Sequence, residues 1–545
     1  MKNKVLLPIL LAIVAVAGIL TGYTLQLAAD DPAAAGGPGT SSVYEGQAGN
    51  APFSKLNEVI SYVNYYYVDP VDEDAITEAM IPELLSQLDP HTVYIPQEDV
   101  EVTNSELEGT FSGIGVQFSI QNDTIMIVDV IAGGPSEKAG LQPGDRIVEV
   151  ADTSFTGKWI NNNKVLKTLR GAKGTRVKLG VRRMGSDELL HYTITRGDIP
   201  VNSVDIAYPI TPRTGYVKVS QFGANTYNEF RVALTDLRRK GCDSYIIDLR
   251  SNSGGYLSAA ISMLNEFLPK GQLIVYTEGR NYSREEARAT GGGGFTDAPV
   301  VVLINEWSAS ASEIFAGAIQ DQDRGWIVGR RSYGKGLVQQ QMPLSDGSEI
   351  RVTIARYHTP SGRCIQKSYE KGDLDNYESD IETRYEHGEF FHQDSIHLAD
   401  SLRYSTRGGR TVYGGGGIMP DYFVPQDTTG SNAWYRAVSN RSLIYEFAFS
   451  YADRNRQRLM RLGDYKSLVN YLAGTSLTAE FRAYAAGKGF TATDAQFAES
   501  TDALRRNLHA CISRNLFGDD GFYPLLNEDD PTVQKALEVI QTPMP

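Results

Sequence analysis

The stretch PVVVLINEWSASASEIFAGAIQDQ, residues 299 to 322, carries a strand pattern, a serine-rich turn and a helix pattern in immediate succession. Its first part, PVVVLINE, is almost entirely apolar, which is typical of a strand covered on both faces. The helix pattern follows from the spacing of the apolar residues Ile314, Phe315, Ala318 and Ile319. We therefore predict a buried strand that passes through a tight turn into a buried helix.

The same alternation continues on both sides of this stretch, from residue 215 to about 360. GYVKVSQF, SYIIDLR, WIVGRR and EIRVTIARYHT have strand patterns. TYNEFRVALTDLRRKG and YLSAAISMLNEFLPKG, which lie among them, have helix patterns, and the first ends at a glycine. Strands that alternate with helices predict a layered α/β core.

The pattern changes divide the rest of the chain into further regions. Residues 52–108 have helical spacing, whereas residues 109–197 hold short β-rich runs between Gly, Asn and Pro, which predicts a small, mostly β module. The core extends over residues 198–430 and contains a charged, irregular insertion at 367–410. Residues 431–545 are a helical extension whose role the sequence does not reveal.

The N-terminus has an apolar run without charge from Val5 to Ala29, preceded by Lys2 and Lys4. Roughly 20 apolar residues span a bilayer, and the apolar part of a signal peptide has about 7–15. We therefore predict a signal anchor over residues 1–29, with a cleaved signal peptide as the alternative, and a flexible linker over residues 30–51. The lysines on the leading side predict export of the rest of the chain.

Charge and cysteine content exclude several classes of protein. The net charge of -14, without a dense Lys/Arg face, argues against nucleic-acid binding. Cys242, Cys364 and Cys511 are far apart and form no cluster with metal spacing, and an odd number argues against a disulfide framework. We expect neither a metal nor a cofactor.

The serine-rich turn has two interpretations. Ser310 followed by Glu313 is a capping box, which stabilises a helix and needs no catalytic role. A serine between an apolar strand and a helix also suits a nucleophile, because the free N–H groups of the first helical turn can stabilise an oxyanion. Ser310 lies at the junction, Ser308 before it and Ser312 within the first turn.

A nucleophilic serine needs a base, and the sequence has no G-x-S-x-G elbow. Histidines are poor candidates, since none falls between His191 and His358, and this leaves His91 and those of the insertion. Lys335 follows WIVGRR and lies between two glycines. It is either a surface lysine in a turn or a base whose pKa is lowered by burial and by the helix N-terminus.

A glycine pair in DLRSNSGGYL completes the set of motifs, with Gly254 and Gly255 between a strand pattern and a helix pattern. A tight turn is a sufficient explanation for these glycines. The same turn can also supply a second N–H group to an oxyanion.

Together these motifs resemble the carboxyl-terminal processing peptidases, the tail-specific proteases of the S41 serine peptidase family. The resemblance covers residues 52 to about 425 and follows the family's order: LDPHTVYIP, GIGVQF, AGLQPGDRIVEV, LRSNSGG, the serine turn, GKGLVQQ, TPSGRCIQ and GGGGIMPD. It implies a ClpP/crotonase-like layered α/β protease core with an inserted PDZ domain and helical terminal regions. The insertion and the extension are less typical and are similar in character to members from the Bacteroidetes.

The resemblance also implies roles for individual residues. Ser310 is the nucleophile, Lys335 the general base and Gln339 the residue that orients the lysine. The oxyanion hole consists of the N–H groups of Ala311 and of Gly254 or Gly255. The PDZ carboxylate loop is formed by Gly113, Ile114, Gly115 and Val116.

The implied function is a serine endopeptidase that cleaves proteins near their C-termini through an acyl-enzyme. Its PDZ domain recognises unstructured, apolar C-terminal tails, which places the substrates among proteins and not nucleic acids. The expected location is the cell envelope, with a membrane anchor and a periplasmic catalytic domain, or the periplasm if the signal is cleaved. The resemblance also allows a homo-oligomer.

Two alternatives come from other functional classes. A catalytically silent PDZ scaffold would bind tails without cleaving them, which the intact Ser310, Lys335 and Gln339 oppose. A crotonase-like acyl-CoA enzyme would share the layered core, but the envelope location and a lysine base oppose it.

Overall fold

The structure, a computed structural model, describes residues 51–543 except for 122, 132, 184, 185 and 187. In this part of the chain the helices are α1 (Ala51–Tyr66), α2 (Glu73–Ser86), α3 (Gln97–Glu108), α4 (Pro135–Ala139), α5 (Asn162–Leu169), α6 (Thr226–Arg239), α7 (Leu257–Leu264), α8 (Ala311–Asp321), α9 (Leu374–Glu386), α10 (Ala433–Asn440), α11 (Leu443–Met460), α12 (Tyr465–Ala473), α13 (Leu477–Gly487), α14 (Asp494–Phe517), α15 (Asp519–Asn527) and α16 (Pro531–Val539).

The strands of the same part are β1 (Val93–Ile95), β2 (Thr110–Gly113), β3 (Val116–Gln121), β4 (Thr124–Val130), β5 (Arg146–Val150), β6 (Thr153–Ser154), β7 (Arg176–Arg182), β8 (Leu190–Thr195), β9 (Gly197–Pro200), β10 (Val204–Pro209), β11 (Thr214–Val219), β12 (Ser244–Asp248), β13 (Leu273–Glu278), β14 (Glu285–Arg288), β15 (Val300–Ile304), β16 (Trp326–Gly329), β17 (Leu337–Pro343), β18 (Glu349–His358), β19 (Arg403–Ser405), β20 (Thr411–Tyr413) and β21 (Tyr422–Phe423). The described residues up to 75 belong to one compact unit, and residues from 76 onward form a second.

A six-stranded sheet with the order β10-β11-β12-β15-β16-β21 forms the centre of the second unit, and its strands are parallel except for β10. All five residues of β15 are buried, which confirms the prediction of a strand covered on both faces. Val300, Val302 and Ile304 pack against α6, α7 and α8. Val301 and Leu303 face the opposite way and pack against α16. The predicted layered α/β core is therefore present.

A five-stranded sheet lies on the far side of α8. Its order is β1-β18-β13-β14, and β17 pairs with the other edge of β18. All eleven residues of α8 are buried, and the helix contacts both β16 and β13. Strand β1 belongs to LDPHTVYIP, which the sequence places in a helical region, and it pairs with β18 through Val93 and Arg351. A strand of three residues is too short to show a periodic pattern, and its partner is distant in the sequence. The sequence therefore does not predict this strand.

The predicted small β module is present as a separate six-stranded sheet, β3 to β8. Helices α4 and α5 pack with this sheet around an apolar core of its own. The two chain connections to this module, β2 and β9, pair with each other as an antiparallel ribbon. Strand β3 lies at the edge of the module's sheet, because β4 is its only strand partner among the described residues.

The charged segment 367–410 is more regular than the sequence predicts. It contains α9 and the first strand of the β19-β20 hairpin. The face of α9 that contacts the rest of the protein is formed by Tyr377, Ile381 and Arg384, which are buried. A buried face with one aliphatic, one aromatic and one charged residue gives only a weak apolar pattern. The sequence therefore predicts an irregular segment where the structure has a helix.

The helical extension divides into two parts. Helices α10 to α14 enclose their own apolar core around Phe447, Phe481 and Leu504, whereas α15 and α16 return to the six-stranded sheet. Among the helices described between residues 51 and 543, none combines the length and apolarity needed to cross a bilayer. The predicted signal anchor at residues 1–29 and most of the linker lie outside the described residues.

Candidate active site

The turn between β15 and α8 places its three serines in different environments. Ser308 and Ser312 are fully buried, and their hydroxyls donate to the carbonyls of Leu249 and Asn252, each at 2.8 Å. Ser310 is half-buried and has a φ of +56° and a ψ of -114°. Such a backbone conformation costs a non-glycine residue about 1–3 kcal/mol and is concentrated at functional sites. Two serines therefore hold the turn, and the third lies at its strained apex.

One cleft of 490 Å³ brings most of the predicted catalytic and oxyanion-hole residues together. Its lining includes Ser310, Lys335, Gln339, Gly254 and Gly255. Apolar side chains supply much of the remaining wall: Leu107, Leu257, Ile314, Leu337 and Val338. The predicted PDZ loop residues do not line this cleft.

Lys335 lies on the loop between β16 and β17. Burial lowers the pKa of its ammonium group, and the positive charge of Arg351 lowers it further. The carboxylates of Glu313 and Asp89 act in the opposite direction. The net effect favours the neutral amine, the form that can accept a proton.

Glu313 joins the serine turn to the lysine loop. Its buried carboxylate accepts the N–H groups of Ser310 and Lys335 on Oε2, at 2.9 and 2.8 Å. On Oε1 it accepts the Ser332 hydroxyl at 2.5 Å and the Gly334 N–H at 2.7 Å. Burial raises the pKa of Glu313 to about 7, while these hydrogen bonds oppose the rise. The sequence predicts only the first bond, as part of the capping box, and gives no sign of the other three.

Tyr357 is a second link that the sequence does not indicate. Its hydroxyl contacts the carbonyl oxygens of Ser310, at 3.1 Å, and of Lys335. The side chain is fully buried, and burial raises the pKa of the phenol. The uncharged hydroxyl therefore holds the serine turn and the lysine loop from the side of the five-stranded sheet.

Gln339 follows a β-bulge in β17, where the register with β18 shifts. Its amide donates to the Thr353 hydroxyl at 3.3 Å, and that hydroxyl donates to Asp89 at 2.9 Å. Asp89, from LDPHTVYIP, also accepts the Thr92 hydroxyl at 2.5 Å. Gln339 is thus fixed by a polar chain at the cleft, and its role in orienting Lys335 stays a prediction.

His91 lies beside the same polar chain. Burial, followed by the charge of Lys335, lowers the pKa of its imidazole to about 4. Its Nε2 lies 2.9 Å from the Tyr377 hydroxyl, so the ring is engaged with helix α9. A base with so low a pKa is weak, which agrees with the preference for Lys335 over a histidine.

The two glycines of the SNSGG turn differ in their hydrogen bonding. The Gly254 N–H donates to Asn252 Oδ1 at 2.8 Å. Gly255 forms a parallel bridge with Phe222 whose bonds are made by residues 254 and 256, so its own N–H faces away from Phe222. Ala311 is the first residue of α8, where an N–H has no partner within the helix. These contacts favour Gly255 over Gly254 as the partner of Ala311.

The predicted PDZ loop residues lie together at the start of the edge strand β3. Gly113 pairs with Gly197 in the β2-β9 ribbon. Ile114 is buried, and Gly115 has a φ of +78°. Val116 begins β3 and pairs with Val130 on β4. A peptide that paired with the free edge of β3 as an additional strand would therefore begin beside this loop.

Comparison with known proteins decides the family. Residues 213–376 match peptidase family S41, residues 112–194 match the PDZ domain and residues 434–518 match a family of unknown function, DUF8443. The carboxy-terminal processing protease CtpA of Bacillus subtilis is 35% identical over 58% of this chain and 68% of its own length. A carboxyl-terminal-processing protease of Synechocystis is 38% identical over 58% of this chain and 75% of its own. The chain belongs to peptidase family S41.

Solved structures are also similar to this S41 peptidase. The photosystem II D1 C-terminal processing protease is 26% identical, with a TM-score of 0.37, over 70% of this chain and 88% of that one. A peptide-bound PDZ domain of a carboxy-terminal protease from Vibrio cholerae is 31% identical, with a TM-score of 0.16, over 16% of this chain and 97% of that one. The family matches confirm the sequence-based identification of a carboxy-terminal processing serine protease with a PDZ domain.

Proposed function

We propose that this S41 peptidase cleaves peptide bonds near the C-termini of proteins with a dyad of Ser310 and Lys335. The observation that carries the proposal is the position of both residues in one cleft, where the N–H groups of both donate to Glu313. A nucleophile and its base need a fixed mutual position, and a shared buried carboxylate provides it.

The reaction follows from the chemistry of the dyad. The neutral amine of Lys335 takes the proton of the Ser310 hydroxyl while Oγ attacks the peptide carbonyl carbon. The N–H groups of Ala311 and Gly255 bind the oxyanion that forms. The lysine ammonium then gives its proton to the leaving amine, and the acyl-enzyme remains. Lys335 next activates a water molecule that releases the acid and restores the serine.

The PDZ module supplies recognition of the tail in this proposal. An extended peptide adds to the free edge of β3, where main-chain hydrogen bonds give affinity. Its terminal carboxylate meets the loop of Gly113, Ile114, Gly115 and Val116. Only unstructured tails can add as a strand, and the apolar cleft wall favours apolar residues at the point of cleavage.

The location and assembly of the enzyme form part of the same proposal. The apolar run after Lys2 and Lys4 supports an exported enzyme of the cell envelope, anchored in the membrane or released into the periplasm. The substrates are then exported proteins. Assembly as a homo-oligomer is proposed on the resemblance alone.

The test is cleavage of a protein with an unstructured, apolar C-terminus by the full chain. We expect Ser310→Ala and Lys335→Ala each to reduce kcat by about 10⁴-fold or more, because the two residues act as a unit. The matched controls are Ser368→Ala and Lys371→Ala, an exposed S-x-x-K pair, which should leave kcat unchanged. Unchanged cleavage by both dyad variants would show that the dyad is wrong. A wild type that binds tails without cutting them would support the scaffold.

A further inference from the structure

A second cavity, of 680 Å³, lies between the PDZ module and the helical extension. One wall is the loop of residues 142–145 together with Arg183 of the PDZ module. The other wall is formed by residues 453–458 on α11 and by Arg461. The cavity shares no lining residue with the cleft of Ser310, so the dyad mechanism does not use it.

The charge of this cavity is opposite to that of the chain. Its lining contains five arginines and two aspartates, in a protein with a net charge of -14. The arginines are Arg183, Arg454, Arg456, Arg458 and Arg461. Arg183 is neutralised by Asp145, which it binds with two nitrogens at 2.7 and 2.8 Å. Beside the four arginines of the α11 wall, the lining offers one further carboxylate, that of Asp453, and Asp129 acts on Arg456 from outside the lining.

Arg456 has hydrogen-bond donors that the described residues do not use. Its Nε and Nη2 atoms are buried and have no acceptor among the described residues. A guanidinium stays charged when buried, and its unpaired donors cost free energy unless an acceptor meets them. Burial lowers the pKa of Arg456, while the carboxylates of Asp453 and Asp129 oppose the shift. Charge is therefore nearby, but two buried donors of Arg456 lack a hydrogen-bond acceptor among the described residues.

Asp453, on the same wall, has a hydrogen-bond acceptor that the described residues do not use. Its Oδ2 atom is buried and has no donor among the described residues. An anion that fits beside this carboxylate must itself offer a hydrogen. Phosphate groups do so when they carry a hydroxyl, either as the hydrogen phosphate ion or as an ester of a polyol, and Arg recognises phosphate through two parallel hydrogen bonds.

We propose that this cavity binds a phosphate group that carries a hydroxyl. Arg456 donates to the phosphate oxygens, the exposed Arg454, Arg458 and Arg461 add their charge, and Asp453 accepts the hydroxyl. Because both walls contact it, the bound group ties the PDZ module to the helical extension. Its source is free phosphate or the glycerophosphate headgroup of a lipid.

Hydrogen exchange of the full chain tests the proposal with local resolution. The probes are inorganic phosphate, compared with chloride at equal ionic strength, and vesicles of phosphatidylglycerol in phosphatidylcholine, compared with phosphatidylcholine alone. We expect a phosphate probe to protect both residues 142–146 and residues 453–461. Arg456→Gln should weaken this binding about tenfold or more, since it removes a charged, bidentate partner. The matched control is Arg441→Gln, an exposed arginine of the same extension outside the cavity.

The outcomes separate the two sources. Protection by inorganic phosphate identifies free phosphate as sufficient, and protection by phosphatidylglycerol vesicles alone identifies the headgroup. Equal protection of wild type and Arg456→Gln, or protection by neither probe, overturns the proposal. Folding is checked by thermal unfolding without phosphate, where Arg456→Gln should show a cooperative transition like that of wild type.

Discussion

Helix α8 carries a buried carboxylate at each end, and the two are held in different ways. At the N-terminus, Glu313 accepts three backbone N–H groups and one hydroxyl, and no Lys or Arg side chain among the described residues forms an ion pair with it. At the C-terminus, Asp321 pairs with Arg363 at 2.7 Å, and both side chains are fully buried. Asp321 also accepts the Ser361 N–H at 3.0 Å.

The helix dipole accounts for this difference. Its positive end at the N-terminus favours a carboxylate, so Glu313 needs only neutral donors. Its negative end disfavours a carboxylate, so Asp321 requires a cation. Backbone donors fix the position of the chain segments that carry them, whereas an ion pair fixes two side chains. The N-terminal arrangement is therefore suited to catalysis and the C-terminal arrangement to stability.

Among variants that keep the side chains of Ser310 and Lys335, the largest effect is expected from Gly254→Ala at the N-terminal end. The new Cβ would lie 2.7 Å from the Ser310 Cβ and 2.8 Å from the Ala309 carbonyl, so the serine turn must shift. We expect kcat/KM to fall about 10³-fold, as when an oxyanion donor is lost. The control is Gly271→Ala, which has a similarly positive φ but open space around its Cβ. Comparable losses of activity in both variants would refute the steric argument.

Exchanging the carboxylates for amides tests the comparison itself. Glu313→Gln places an NH₂ group against N–H donors, so we expect kcat to fall about 10²-fold through misplacement of the dyad. Asp321→Asn leaves Arg363 buried without a charged partner and should cost about 3–5 kcal/mol of unfolding free energy. Its kcat, measured per folded molecule, should stay within about twofold of wild type. Denaturant unfolding and steady-state kinetics on both variants provide the measurement, and a reversed order would contradict the division of roles.

The pH dependence of kcat/KM should respond to the removal of one positive charge near Lys335, that of Arg351. In the proposed mechanism Lys335 acts as the neutral amine, so kcat/KM should rise with pH through the pKa of Lys335. Arg351 lowers this pKa, and Arg351→Gln should therefore move the rising limb to higher pH. Arg351→Lys keeps the charge and should leave the limb in place. A pH–rate profile in which both variants match wild type would show that Arg351 does not affect the base.

The smallest effect is expected in the PDZ loop, whose residues do not line the cleft of Ser310. Gly115→Ala places a Cβ at a φ of +78°, which strains the loop, and brings it within 2.9 Å of Ile199 Cδ1 and 3.3 Å of Pro135 Cδ. We expect KM for a tailed substrate to rise about tenfold, the effect of one lost charged hydrogen bond, while kcat stays constant. Gly174→Ala, with a positive φ and open space, is the control. A fall in kcat instead would mean that the loop acts on the chemistry.

The local features of this molecule were predictable and the long-range ones were not. Strand β15 and helix α8 follow from apolar spacing within 24 residues. The motifs also point to Ser310 and Lys335, which lie in one cleft, while their catalytic roles stay predictions. Glu313 accepts hydrogen bonds from residues of the lysine loop that lie about 20 positions further along the chain. The spacing of residues in the sequence does not reveal such contacts. The left-handed backbone at Ser310 is likewise set by the packing around the turn.

Helix α16 covers one face of the six-stranded sheet, although more than 200 residues separate it from β16. At a synthesis rate of about 5–20 residues per second, β16 is complete roughly 10–45 s before α16. The apolar face of the sheet that contains Val301 and Leu303 therefore stays uncovered by α16 while the helical extension is synthesised. We therefore expect the six-stranded sheet to complete its packing only after the whole helical extension has been made.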